Sequence, residues 1–206
     1  EMQTEIEKLS KLANYSKDDG ELSAYDGVMK FYSELNKKKE YIKTGFKVLD
    51  KKTFITKGDY IVIGGRPSAG KTAFALELAT TMAKKLNVVF FSLETSNEKI
   101  YDRIMANKAT VRLEKIKNRT VEKEDNDNIV EAMEIVSKLN FKTVKASGKT
   151  VSWIKSKALK LKADIIIIDY IGLIKSEGKS RYEKVTNISL DLHTLSQSLG
   201  ITVIAL

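Results

Sequence analysis

The sequence predicts an α/β fold, a mainly parallel sheet flanked by helices and preceded by a helical segment. From Tyr41 onward, short runs of β-branched and aromatic residues alternate with longer stretches whose apolar residues recur at helical spacing. The short runs are apolar throughout, which is typical of strands buried on both faces of a parallel sheet. The chain has 206 residues, 42% of them hydrophobic and 31% charged, enough for one such domain and an appendage.

Residues 1–40 are predicted to form an N-terminal helical linker segment. Apolar residues fall at helical spacing from Thr4 to Ala13, and an Asp-Asp-Gly sequence at 18–20 interrupts them. A second helix begins near Ser23, which has an acidic residue three positions later, as helix starts often do. Its apolar stripe consists of Val28, Phe31, Tyr32 and Leu35. Either the chain's own domain or a neighbouring subunit must cover this stripe, and both alternatives stay open.

Residues 41–206 are predicted to form the α/β domain. The predicted strands are Tyr60–Gly64, Val88–Ser92, Phe141–Lys145, Asp164–Asp169 and Ile201–Leu206. The predicted helices are Thr72–Leu86, Asn97–Lys108, Lys123–Leu139, Thr150–Leu161 and Tyr182–Leu199. Because the chain opens on Glu1 instead of methionine and stops inside an apolar run, we expect it to be a fragment of a longer protein.

The composition excludes several classes of protein. The absence of cysteine excludes disulfides and cysteine-rich metal sites. No charged-then-apolar leader opens the sequence, and the apolar run Ile165–Ile168 is far shorter than the roughly 20 residues of a membrane helix. We therefore expect a cytoplasmic protein without a membrane partner.

The net charge of +9 hints at a polyanionic partner. The lysines are scattered along the sequence, however, and do not form one obvious stripe. Solvated faces of a lysine-rich protein would explain them equally well, so the charge does not identify a partner.

The run from Gly65 to Thr72 matches the pattern G-x-x-x-x-G-K-[ST], with an apolar strand before it and an amphipathic helix after it. Glycines let backbone N–H groups turn inward, and the helix directs its positive end to the same place, which suits the phosphates of ATP. Lys71 would reach the β- and γ-phosphates, and Thr72 would hold Mg²⁺. Pro67, the only proline, would stiffen the loop. The predicted loop contacts to the nucleotide are Gly65, Arg66, Pro67, Ser68, Ala69, Gly70, Lys71, Thr72 and Ala73.

Two acidic residues follow predicted strands and are candidates for the chemistry of hydrolysis. Asp169 ends a run of four isoleucines, where the carboxyl ends of parallel strands meet, and could hold the metal ion. Glu94 lies just past the strand that follows the loop and could orient or deprotonate a water molecule. The alternatives are an ordinary aspartate at a strand end and a surface glutamate at a helix start.

Five segments together carry a recognisable signature: TGFKVLD (44–50), KGDYIVIGGRPSAGKTAFALELA (57–79), FFSLETS (90–96), IIIIDYIGLI (165–174) and ITVIAL (201–206). They resemble the C-terminal ATPase domain of the DnaB-type replicative DNA helicases, which has a RecA-like P-loop NTPase fold. The resemblance runs from about residue 41 to the end, and the helix at 23–36 is similar to the linker helix of that family.

The resemblance implies roles for individual residues. Lys71 and Thr72 correspond to the residues that bind phosphate and Mg²⁺, with Lys71 counted among the catalytic residues. Glu94 corresponds to the catalytic base, and Asp169 to the residue that supports the metal. Arg103 matches an arginine near the nucleotide, although an arginine on a helix surface is an equal alternative.

The resemblance also implies an activity and partners. It implies that the protein forms a homohexameric ring that hydrolyses ATP, moves along single-stranded DNA and unwinds duplexes. In such a ring each linker helix docks on the neighbouring subunit. A primase and a helicase loader are further partners in that family. Beyond Leu206 the family continues with a polar sensor segment, a DNA-contacting loop and an arginine finger, so we expect this truncated domain to bind ATP better than it hydrolyses it.

Two other functions remain open at this stage. A RecA- or RadA-type recombination ATPase shares the fold, although Arg66-Pro67 and Ser92-Leu93-Glu94 favour the helicase. A non-motor nucleotide-binding module, such as a helicase-loading or regulatory protein, is the other. Trp153, the only tryptophan, is expected to be a partly buried packing residue, with base stacking and an interface contact as alternatives.

Overall fold

A computed structural model describes residues 22–206 and contains one five-stranded sheet. Its strands are β1 (Tyr60–Val62), β2 (Val88–Ser92), β3 (Phe141–Lys145), β4 (Ile165–Asp169) and β5 (Thr202–Ala205). The order across the sheet is β1-β5-β4-β2-β3, and every neighbouring pair is parallel. The predicted parallel sheet is therefore confirmed.

Helices cover both faces of the sheet, as predicted. Helix α1 (Ala24–Leu35) belongs to the N-terminal segment. The helices of residues 41–206 are α2 (Lys47–Lys52), α3 (Lys71–Met82), α4 (Asn97–Lys108), α5 (Leu113–Asn118), α6 (Lys123–Ser137), α7 (Val151–Lys160) and α8 (Arg181–Leu199). A short 3₁₀ turn follows β4 at Ile171–Leu173. The sequence did not predict α2 or α5, because six residues contain too few apolar positions to show a helical period.

Some predicted ends were wrong. The helix predicted to reach Leu86 stops at Met82, because the amides of Lys84 and Lys85 donate to carbonyls three residues back, those of Thr81 and Met82, instead of four. The strand predicted to reach Gly64 ends at Val62. The Ile63 amide still donates to the Ala205 carbonyl of β5 at 2.8 Å, and the glycine-containing loop begins after it.

The core lies on the two faces of the central strands. Val88, Phe90, Ile165 and Ile167 pack with α3 and α4 on one side, here called the α3 face. Alternate residues of the same strands pack with α7 and α8 on the other side, here called the α7 face. All five residues of β2 and of β4 are buried, and full burial of each large apolar side chain contributes roughly 1.5–3 kcal/mol. This packing fixes the carboxyl ends of the strands along one rim.

Edge strand β3 departs from the expectation that every strand is apolar throughout. Lys142 and Lys145 are exposed there, while Phe141 and Val144 are half-buried. An edge strand has a neighbour on one side only, so water reaches side chains that would be buried in a central strand. Charged residues on such an edge also oppose pairing with another sheet.

The chain divides into two compact units, Glu1–Glu40 and Tyr41–Leu206. In the first unit, Ser23 caps α1 by accepting a hydrogen bond from the Asp26 amide, as the sequence predicted. The apolar stripe of α1 is exposed: Val28, Phe31, Tyr32 and Leu35 keep 57–71% of their accessible surface. The helical pattern at 4–13 lies outside the described residues. Within residues 22–206, none of the helices is long and apolar enough to cross a membrane.

Candidate nucleotide-binding site

The loop between β1 and α3 makes a tight turn before the helix begins. The Ala69 amide donates to the Arg66 carbonyl at 3.2 Å, with Pro67 and Ser68 in the central positions. Ser68 has a φ of 61°, and proline followed by a residue with positive φ is the arrangement of a type II turn. Pro67 therefore pre-sets the first central position of this turn, which gives the only proline a local structural reason.

The start of α3 is free of side-chain caps within the described part of the chain. Gly70 occupies the N-cap position with a φ of 86°, in the left-handed region that glycine tolerates best. No described side chain hydrogen-bonds to the first-turn amides, which therefore face the loop with their positive dipole end. An uncapped helix start inside a loop is a ready-made anion site.

Lys71 folds back over this loop. Its Nζ donates to the Gly65 carbonyl at 2.8 Å and to the Arg66 carbonyl at 3.0 Å. A Cβ on Gly65 would lie 3.4 Å from the Lys71 side chain, an ordinary van der Waals contact, so the lysine passes close over the Gly65 backbone. The ammonium group is thus held at the loop mouth by two carbonyl oxygens, which an anionic ligand could replace.

Thr72 and Asp169 meet directly across the rim. The Thr72 hydroxyl donates to Oδ2 of Asp169 at 2.7 Å, and Asp169 is buried with 7% of its surface exposed. Burial raises the pKa of Asp169 above its ordinary value, and the nearby charge of Glu94 raises it further. The Thr72 hydrogen bond and the positive charges of Arg103 and Lys71 act in the opposite direction. The carboxylate of Asp169 therefore feels three of the charged residues that the sequence predicted for the site, Lys71, Glu94 and Arg103.

Glu94 is positioned by the sheet and by a turn. Ser92 lies opposite Asp169 in the β2–β4 register, and the Leu93 amide donates to the Asp169 carbonyl at 2.9 Å. Glu94 follows directly and is exposed at the same rim. Sequence reasoning missed the contacts that hold this turn. The Ser92 hydroxyl donates to the Thr95 carbonyl at 2.6 Å and accepts from its amide at 3.1 Å. A serine at a strand end beside a polar turn was the available signal.

Arg103 lies on α4 and is partly buried, not freely exposed on a helix surface. It lines a narrow cavity of about 40 Å³ between α3 and α4, together with Ala73 of the first turn of α3. A salt bridge of 2.8 Å between Lys108 and Glu77 holds the two helices together beside it. From this position the positive charge of Arg103 acts to lower the pKa of Asp169 at the rim.

The residues at the rim fit a magnesium nucleotide. Hydroxyl and carboxylate oxygens, as on Thr72 and Asp169, are the ligands that Mg²⁺ prefers. Lys71, Arg103 and the uncapped amides of α3 supply positive charge suited to phosphates. Within residues 22–206 there is no cluster of three or more acidic or histidine side chains that could hold a metal ion alone. Phosphate and water oxygens would have to complete the coordination, which is the usual manner of Mg²⁺ binding.

Solved structures of related domains share this fold. The structure of an ATPase domain superposes with a TM-score of 0.81 at 30% identity, covering 91% of this chain and 71% of that one. A DnaB-like replicative helicase, described with its interactions with primase, gives a TM-score of 0.81 at 28% identity, covering 98% of this chain and 52% of that one. The predicted RecA-like architecture is thereby confirmed.

Sequence relatives agree with the structures. The replicative DNA helicase DnaC of Bacillus subtilis is 34% identical over 175 residues, which is 80% of this chain and 38% of that protein. A probable plasmid replicative DNA helicase of Chlamydia trachomatis is 34% identical over 171 residues, 79% of this chain and 38% of that protein. This chain thus spans well under half the length of these relatives. Residues 41–206 match the family described as the DnaB-like helicase C terminal domain, and the chain therefore belongs to that family.

Proposed function

We propose that this chain is the motor domain of an ATP-dependent replicative DNA helicase. The observation that carries the proposal is the contact between Thr72 and Asp169, which joins the phosphate-binding loop to the end of β4. Family membership adds that chains with this domain are replicative helicases in the relatives compared. The recombination ATPase and the non-motor module gain no support from these relatives.

We assign the binding of ATP to the loop between β1 and α3. The amides around Gly70 and the ammonium of Lys71 would hold the phosphates, after Lys71 exchanges the Gly65 and Arg66 carbonyls for phosphate oxygens. Thr72 and Asp169 would hold Mg²⁺, whose charge lowers the barrier to attack on the phosphate. The negative charge of Glu94 acts on Asp169 and raises its pKa. This repulsion supports the assignment, because a bound cation would stabilise both carboxylates.

The hydrolytic step is assigned to Glu94. Its carboxylate would accept a proton from the attacking water, which must lie between the γ-phosphate and the rim of β2. The Ser92–Thr95 turn supports this role because its two hydrogen bonds fix the backbone around Glu94. Arg103 would neutralise phosphate charge from the α4 side.

The coupling of hydrolysis to movement on single-stranded DNA is assigned to a homohexameric ring. The exposed apolar stripe of α1 supports this assignment, because such a stripe is costly in water and suits a neighbouring subunit. Primase and a helicase loader remain partners implied by the family, and we place the protein in the cytoplasm, where these partners act. Alone, the chain should bind ATP more readily than it hydrolyses it, because a motor of this kind needs residues from neighbouring subunits.

A forked-duplex assay on the full-length protein tests the proposed function. We expect ATP-dependent strand separation, lost in a Lys71→Ala variant, and closed six-fold rings under the electron microscope. Open helical filaments would instead support the recombination ATPase. A protein that binds ATP and a helicase but never separates the fork would support the non-motor module.

A further inference from the structure

The net positive charge of the chain is concentrated in one segment. Residues 135–163 contain eight lysines and no aspartate, glutamate or histidine, so they carry +8 of the total net charge of +9. Lysines occur along the whole sequence, as expected, but the net charge is not evenly distributed along it. This segment comprises edge strand β3 and helix α7.

The fold brings part of this segment onto a single surface. Lys142 of β3 lies opposite Val89 in the parallel register, and Val89 packs in the core cluster on the α7 face. The exposed Lys142 side chain is therefore on the same side of the sheet as α7. Trp153 of α7 packs in that cluster too, with its ring centroid 6.4 Å from that of Phe91, as expected for a packing residue.

Helix α7 packs on β2, the neighbour of edge strand β3, and runs antiparallel to the strands. Trp153, near its start, contacts Phe91 towards the carboxyl end of β2. Its end is held at the start of β2, because the Asn87 side chain donates to the carbonyls of Leu161 and Lys162 at 2.7 and 2.8 Å. Lys157 and Lys160 follow Trp153 by four and seven residues, and they therefore lie on the same side of the helix as Trp153.

We call the four residues Lys142, Lys149, Lys157 and Lys160 the lysine ridge. Lys149 lies at the end of the ridge that is nearest the carboxyl end of β3, and its Nζ lies 5.3 Å from the centre of the Trp153 ring. Within residues 22–206, the ion pairs of the structure involve other lysines, at 108, 115 and 138. The charge of the ridge is therefore not neutralised by these pairs.

The ridge is separate from the nucleotide site at three of its four lysines, Lys142, Lys157 and Lys160. It borders β3, at the opposite edge of the sheet from β1, and four strand spacings of about 4.8 Å separate those two strands. It also lies on the α7 face, whereas the helix that follows the phosphate-binding loop packs on the α3 face. Lys142, Lys157 and Lys160 consequently have no role in the proposed hydrolysis. Lys149 follows a loop whose Ser147 hydroxyl donates to the Leu93 carbonyl at 2.8 Å, beside Glu94 at the rim.

We propose that the lysine ridge binds the phosphate backbone of a nucleic acid strand, as a DNA contact additional to any in the motor's translocation path. Lysines are flexible point charges suited to phosphate contacts that do not read sequence. The choice of nucleic acid over an acidic protein rests on the proposed function, since the relatives of this chain are DNA helicases. Binding should therefore be independent of sequence and strongly dependent on salt.

The test compares two triple variants of the full chain with equal loss of charge. The ridge variant is Lys142→Gln, Lys157→Gln, Lys160→Gln, and the control replaces the exposed lysines 51, 52 and 57. Fluorescence anisotropy with a labelled oligo-dT of about 20 nucleotides gives affinities between about 50 and 200 mM salt. Three lost phosphate contacts should reduce the slope of log K against log salt by about 2 and weaken binding at least tenfold at low salt. The control should stay within about twofold of the unaltered chain.

Several results would overturn the proposal. Equal losses in both triple variants would show that only net charge matters. Polyglutamate that binds the unaltered ridge as tightly as oligo-dT would identify an acidic protein as the partner. A changed sedimentation coefficient in the ridge variant would make the ridge a subunit contact.

Further variants separate folding and nucleotide binding from the ridge. A triple arginine variant at the same positions keeps the charge and should bind as the unaltered chain does. If the triple glutamine variant does not fold, Lys157→Gln and Lys160→Gln should each lower the slope by about 0.7. If the proposed function is wrong, the unaltered chain should fail to bind a fluorescent ATP analogue. The ridge experiment does not depend on nucleotide binding, so the two failures are distinguishable.

Discussion

The hydroxyl of Thr72 donates a 2.7 Å hydrogen bond to Oδ2 of Asp169, joining residues 97 positions apart in the sequence. The bond connects the first turn of α3 to the last residue of β4, so two oxygens of the kind that bind Mg²⁺ face one point on the rim. Asp169 is buried and lies within reach of a second negative charge, on Glu94. A divalent cation at that point would relieve this unfavourable electrostatic arrangement.

Replacing Lys71 with alanine should weaken ATP binding. Charge-assisted hydrogen bonds of this kind contribute about 1.5–3 kcal/mol, so the dissociation constant should rise by roughly ten- to hundredfold. Titration with a fluorescent ATP analogue measures the change. Lys84→Ala is the matched control, because Lys84 is exposed just beyond the same helix. Equal binding by the two variants would remove Lys71 from the phosphate site.

Replacing Glu94 with glutamine in the full-length protein should leave ATP bound but unhydrolysed. Loss of a general base slows turnover by about 10²–10⁴-fold, while the amide keeps the size of the side chain. Phosphate release and nucleotide binding are measured on the same preparation. Glu98→Gln, at an exposed position in the first turn of α4, is the control and should retain turnover. Retained turnover in the Glu94 variant would require another base.

Charged residues in the apolar stripe of α1 should lower oligomerisation. Phe31→Asp and Leu35→Asp together place two carboxylates where the proposed subunit contact needs apolar surface, at side chains that are 65% and 57% exposed. Sedimentation velocity should show a smaller assembly. Ser33→Asp adds charge to the same helix and is expected to leave the assembly intact. An unchanged assembly in the double variant would contradict the docking of α1 on a neighbouring subunit.

The contact between α5 and α6 should make stability depend on pH. Lys115 Nζ lies 2.6 Å from Oδ2 of Asp125, and this hydrogen bond lowers the pKa of Asp125 below its ordinary 3.8. A carboxyl whose pKa is lower in the folded than in the unfolded state stabilises the fold above the ordinary pKa. That contribution disappears as the pH falls through the lowered value.

Urea unfolding of a Lys115→Met variant at several pH values measures this effect. The variant should be less stable than the unaltered chain at neutral pH, and the difference should shrink as the pH falls below about 3.8. Lys138→Met removes a pair whose side chains are both 71% exposed, and it should have little effect at any pH. A stability difference that stays constant with pH would exclude the Lys115–Asp125 contact as its cause.

The sequence predicted those parts of the fold that have a local signal. The isoleucines of β4 and the glycine loop before α3 are identifiable because apolar runs and phosphate-loop spacing are properties of neighbouring residues. The strand order and the Thr72–Asp169 contact are not, since they depend on how segments far apart in sequence pair. The lysine ridge shows the same limit, because the register of β3 decides on which side Lys142 lies.

We propose above all that the loop from Gly65 to Thr72 closes on the phosphates of ATP while Asp169 and Glu94 face the same magnesium-bound centre. A structure of the protein with Mg²⁺ and a non-hydrolysable ATP analogue tests it most directly. We expect phosphates on the first-turn amides of α3, Mg²⁺ on the Thr72 hydroxyl, and both carboxylates within one bridging water of the metal or the γ-phosphate. Phosphates bound elsewhere, or either carboxylate beyond that reach, would contradict it.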